Sequence, residues 1–139
     1  MKGSWNASGE KKEHCRGLQD YWLIKLDSSG KIQWDKTIGG DNIDLLNDLV
    51  QTLDGGFILG GYSLSGKSGE KSQESKGSGD YWIVKLDAEG NIQWDKSYGG
   101  DGKDELFSII QTKDRGYLLG GSSYSGISGD KTDTSRGMQ

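Results

Sequence analysis

Apolar residues in this chain come in short runs bounded by Asp or Gly. Residues 21–26 and 81–86 gather aromatic and branched side chains between aspartates, which reads as strand. Asp27-Ser28-Ser29-Gly30 and Asp87-Ala88-Glu89-Gly90 follow them. Asp opens such turns through its side chain and Gly supplies a positive φ, so each marks a tight hairpin. Residues 32–36 and 92–96 then place Ile and Trp on one face and Gln and Asp on the other. Residues 45–52 and 105–112 are mixed apolar, a pattern that fits a short strand or one helical turn, and the flanking strands favour strand. Asp54-Gly55-Gly56 and Asp114-Arg115-Gly116 turn the chain into apolar strands at 57–59 and 117–119. Both strands run straight into a Gly pair, Gly60-Gly61 or Gly120-Gly121. The polar stretch 64–79, rich in Ser, Gly and Lys, follows as a long loop that is functional, mobile or merely solvated.

All of these elements occur twice. Laying residues 20–79 over 80–139 gives 32 identities in 60 positions without a gap. Residues 1–19 match in part, with Ser8-Gly9-Glu10-Lys11 over Ser68-Gly69-Glu70-Lys71. The chain therefore divides into a partial repeat at 1–19, a first repeat at 20–79 and a second at 80–139. A period of this length signals stacked or ring-forming units, none of which buries its apolar faces alone.

Four strands per period with hairpin links predict an all-β fold of β-propeller blades, each a sheet of four antiparallel strands. In that phase the innermost strand is 45–52, followed by 57–61, 80–86 and 92–96, so one blade spans residues 44–98. The pair at 21–36 then lacks inner strands before it, and the pair at 105–121 lacks outer strands behind it. Two blade-equivalents are too few for a ring, and bare sheet edges invite pairing. The expectation is completion by head-to-tail self-association into a homo-oligomeric ring, or by flanking repeats of a longer chain.

The order of strands, Gly-Gly and long loop resembles the kelch-type blade. The stretch Leu86-Asp87-Ala88-Glu89-Gly90-Asn91-Ile92-Gln93-Trp94 is similar to the hairpin of quinoprotein-like propellers. The whole period resembles the tandem repeats of about 60 residues in bacterial surface proteins exported by the type IX route. It does so through Asp80-Tyr81-Trp82-Ile83-Val84-Lys85-Leu86-Asp87, Gly60-Gly61-Tyr62 and Ser128-Gly129-Asp130-Lys131-Thr132. The resemblance spans residues 8–139, is specific for the repeat family rather than for an activity, and implies a bacterial secreted or cell-surface protein with a protein or glycan ligand. The chain departs from that family in having just over two repeats, and Met1-Lys2-Gly3-Ser4-Trp5 lacks the apolar run of an export signal.

Composition narrows this further. The apolar fraction is 31% and the mean hydropathy −0.75, so burial falls to thin sheets carrying five Trp and six Tyr. The 24 Gly, with no Pro, sit at the ends of apolar runs, as turns in a β protein do. A net charge of −4 argues against nucleic acid as partner, and no stretch reads as a membrane span. Cys15 has no second cysteine to pair with.

In a propeller the segments 39–44 and 99–104 share a face with the long loops 64–79 and 124–139, which makes that face the candidate binding surface. Asp41, Asp44, Asp101 and Asp104 there offer oxygen ligands for Ca²⁺, with Asp130 and Asp133 a weaker set. The favoured alternative is that these aspartates cap turns through side-chain hydrogen bonds. Trp5 lacks an aromatic counterpart in the repeats and is a further candidate contact, whereas Trp22, Trp34, Trp82 and Trp94 recur as core. Catalysis has little support: His14 is the only histidine and lies outside the matched strands. The alternatives to a binding module are a propeller enzyme acting on polysaccharide and a structural spacer.

Overall fold

The computed structural model describes residues 9–11, 13–133 and 136. They form eight strands and, among the described residues, no helix: β1 (Tyr21–Leu26), β2 (Ile32–Ile38), β3 (Asp44–Gln51), β4 (Phe57–Ser63), β5 (Asp80–Leu86), β6 (Ile92–Tyr98), β7 (Asp104–Gln111) and β8 (Tyr117–Ser123). The mixed stretch 45–52 is thus strand. A four-stranded antiparallel sheet in the order β3-β4-β5-β6 occupies the middle of the chain, with two-stranded sheets β1-β2 and β7-β8 on either side.

Local chemistry sets the hairpins. Asp27 Oδ1 accepts from the amides of Ser29 and Lys31, and Asp87 Oδ1 from those of Glu89 and Asn91. Gly30 and Gly90 close these turns at φ of 87° and 86°, where any other residue would be strained. Gly55 takes the matching position of the β3–β4 turn, and Arg115 holds it at φ 70° in the second repeat.

Two expectations need correction. β4 and β8 do not end at their Gly pairs but run through them to Ser63 and Ser123. Past a register shift, between Leu46 and Asp48 in β3 and between Leu106 and Ser108 in β7, the ladders go on to pair Ser63 with Asp44 and Ser123 with Asp104. A Cβ on Gly61 would lie 1.8 Å from the Leu45 carbonyl oxygen, so only glycine continues the strand there. β2 and β6 also run further than the Trp-Asp-Lys motif suggests, to Ile38 and Tyr98.

The core lies between the sheets. Tyr21, Leu23 and Ile38 pack from β1 and β2 onto Leu59, Trp82, Val84 and Leu86 of the middle sheet. On its other face, Ile58 and Ile83 meet Leu106 and Ile109 of β7. The middle sheet is therefore covered on both faces and β5 is buried from Trp82 to Leu86. The outer sheets are covered on one face only, which leaves Trp22, Ile24, Leu26 and Leu118 exposed.

Candidate functional site

The β2–β3 segment and the long β4–β5 loop meet at one end of the sheets, as do their second-repeat counterparts. Asp44 is the hub of the first set. Its carboxylate accepts from the Gly40 amide at 2.8 Å, the Ser63 hydroxyl at 2.5 Å and the Ser65 hydroxyl at 2.9 Å. Asp104 repeats the arrangement with Gly100, Ser123 and Ser125. Both carboxyl groups are buried. Burial pushes the Asp44 carboxyl above its usual range, against the lowering effect of these bonds.

Asp41 and Asp101 lie one layer out. Asp41 accepts from the Gly66 amide at 3.1 Å and its own amide donates to Ser68 Oγ at 2.8 Å. Asp101 does the same with Gly126 and Ser128. Position 70/130 adds a third clamp, with Gly39 donating to Glu70 at 3.0 Å and Gly99 to Asp130 at 3.1 Å. Asp130 also stands 3.6 Å from the Lys76 ammonium. Each turn segment is thus bolted to its long loop by three carboxylates and three serines.

The candidate residues are accordingly placed as follows. Asp41, Asp44, Asp101, Asp104 and Asp130 all spend oxygens on the amides and hydroxyls of their own loops, which is the turn-capping alternative. Asp133 is exposed on the second long loop. Among the described residues no group of three or more His, Cys, Asp or Glu is arranged to hold a metal ion. Trp5 lies outside the described residues.

Sequence reasoning missed two features. Ser63, Ser65 and Ser68 complete the clamps, and each is identical in the second repeat, a signal that could have singled them out. Asp20 and Asp80 read as strand boundaries, yet Asp80 is fully buried. Asp80 Oδ2 accepts from the Lys76 amide at 2.6 Å, and its Oδ1 is buried without a hydrogen bond. Burial raises the Asp80 carboxyl above its usual range, and the Asp104 charge adds to the rise. The Lys71 ammonium, almost fully buried, donates to the Gln73 carbonyl at 2.8 Å. Its proton affinity is lowered by burial and partly restored by Asp80, Asp44 and Asp95.

Beside the first set of clamps, Glu13, His14, Cys15 and Arg16 face Gly40, Asp41, Ser68 and Gly69 across an open cleft of about 460 Å³. Arg16 bridges to Glu70 at 3.0 Å and holds the His14 carbonyl at 2.7 Å. A smaller cleft of about 210 Å³ lies at the second set, between Tyr81, Tyr98, Asp104 and Lys131. The two clefts are lined by loop backbone and by side chains of mixed charge. No helix among the described residues is long and apolar enough to cross a membrane. No protein-family model matches the chain, and no curated protein matches it.

Proposed function

We propose that the chain is a non-catalytic binding or scaffold module built of β-propeller-type blades, of the kind found in secreted or surface repeat proteins of bacteria. Its ligand is a protein or a glycan, taken at the end where the β2–β3 and β4–β5 connections meet. The observation that carries this reading is the doubled set of clamps. Asp41, Asp44 and Ser65 in one repeat, and Asp101, Asp104 and Ser125 in the other, hold long polar loops in one conformation. A preorganised polar surface binds without the cost of ordering its loops. The same bonds occupy the carboxylates that a polysaccharide-cleaving site would need as acid and nucleophile.

A glycan array run beside a turnover screen on polysaccharides tests the proposal. Binding without turnover is expected, and Asp101→Asn, which weakens the Gly126 clamp, should lower affinity about fivefold, the equivalent of about 1 kcal/mol. Turnover abolished by the same substitution would replace the binding module with an enzyme.

A further inference from the structure

The seam between the two repeats is made by β4 and β5, which pair antiparallel from Phe57 opposite Leu86 to Ser63 opposite Asp80 with no shift of register. β8 and β1 are the same two strands one repeat later and one repeat earlier. Among the described residues β8 has β7 as its one sheet neighbour, and β1 has β2. β8 and β1 are thus the two halves of a seam that the described residues form once, between β4 and β5.

We infer that β8 of one copy pairs with β1 of a second copy in the register of the internal seam. Tyr117 then stands opposite Leu26, Leu118 opposite Lys25, Gly121 opposite Trp22, and Ser123 opposite Asp20. The residues this would cover are among those left bare. Trp22 is 41% exposed where Trp82 is 0%, Leu26 is 47% where Leu86 is 0%, and Leu118 is 62% where Ile58 is 0%. Inside the chain, Tyr21 lies 5.0 Å from Trp82 between ring centres and donates its hydroxyl to the Trp82 carbonyl at 2.9 Å. Tyr81 of one copy and Trp22 of the next are the equivalent pair.

Charge agrees with the register. Lys85 bonds Asp54 across the internal seam at 3.0 Å. The equivalents are Lys25, in β1, and Asp114, in the turn between β7 and β8. Lys25 donates to the Leu26 carbonyl and Gln33, Asp114 accepts from Thr112 and Gly116, and among the described residues neither forms an ion pair. Joining the copies brings them together.

The seam has one place for two segments, because residues 9–19 and 129–139 both correspond to 69–79. The donor's Asp130 amide is tied to its own Gly99 carbonyl at 2.9 Å. The receiver's Glu13 is tied to its own Thr37 amide at 2.7 Å and its Arg16 amide to Asp20 at 2.5 Å. The handover therefore falls between them: donor residues up to 131 and receiver residues from 13 onward build the loop. The contact is head-to-tail, so it propagates until a ring closes or a filament grows. It goes beyond the loop-end reading and stands whether or not that end binds a ligand.

Sedimentation velocity on the full chain over a range of concentrations tests this. Species at multiples of 15.1 kDa are expected. Lys25→Glu, which sets a carboxylate against Asp114, should raise the dissociation constant about tenfold. Register is read independently of folding effects by oxidative crosslinking in a Cys15→Ser background. K25C combined with L118C should give crosslinked oligomers, because directly opposed positions bring their Cβ atoms to about 5 Å. K25C combined with L119C, whose side chains point to opposite faces, should not. A chain that stays at 15.1 kDa up to its solubility limit, or equal crosslinking by both pairs, overturns the proposal.

Discussion

Asp80 shows how one buried carboxyl makes stability depend on pH. Its Oδ1 has no hydrogen bond and its Oδ2 takes only the Lys76 amide. With its folded value raised by burial, the folded chain holds that proton more tightly than the unfolded chain does. The stability it contributes is full in acid, below the unfolded carboxyl value, and is lost as pH rises through the raised folded value. Asp80→Asn keeps the acceptor for Lys76 and removes the charge. Calorimetric melts should show the variant gaining on the wild type as pH rises above the ordinary carboxyl value of about 4, with the advantage vanishing in acid. An advantage that is constant with pH would mean burial has not shifted this group. The sequence showed that Asp20 and Asp80 repeat; that Asp80 is sealed beneath Gly99 and beside Asp104 follows only from how the loops fold over it.

Among the elements, the Gly pairs separate local from tertiary causes. Turn chemistry at Asp27 to Gly30 and Asp87 to Gly90 was legible because it is written in residues that touch each other. The last two residues of β4, Tyr62 and Ser63, were not, because their partners Leu45 and Asp44 lie beyond a bulge in β3, a different part of the chain. Gly61→Ala should therefore cost about 2 kcal/mol, since the added methyl meets the Leu45 carbonyl. Gly120→Ala meets nothing within 4 Å and should change stability by less than about 0.5 kcal/mol. Urea midpoints of the two variants check the contrast. The β4–β5 pairing expected from hairpin order was also correct, although 64–79 is a long connection, because antiparallel neighbours need only matching register.

For the whole molecule, identical residues have unequal worth. Trp82 lies between the middle sheet and β1-β2, while Trp22 on an outer sheet faces open space. Trp82→Ala should cost about 3–5 kcal/mol, the usual range for emptying a buried aromatic site. Trp22→Ala should cost under about 1 kcal/mol in the dissociated chain. Unfolding at concentrations low enough to keep single copies measures both, and equal losses would show that the outer sheet is not open. The Asp candidates at the loop end tell the same story at larger scale. Their spacing suited either ligand binding or turn capping, and the serines that engage them come from the end of β4 and the long loop beyond it, more than 20 residues away for Ser65 and Asp44.

The sequence alone determined the strands, the tight turns and the period of 60 residues, because side-chain alternation and Asp–Gly turn chemistry act over a few neighbouring positions. Only the tertiary structure decided which copy of each repeated residue is covered, which carboxylates turn inward and where β4 ends. Two repeats carry nearly the same local instructions. What differs between them is the neighbour each sheet meets, and burial is a property of neighbours.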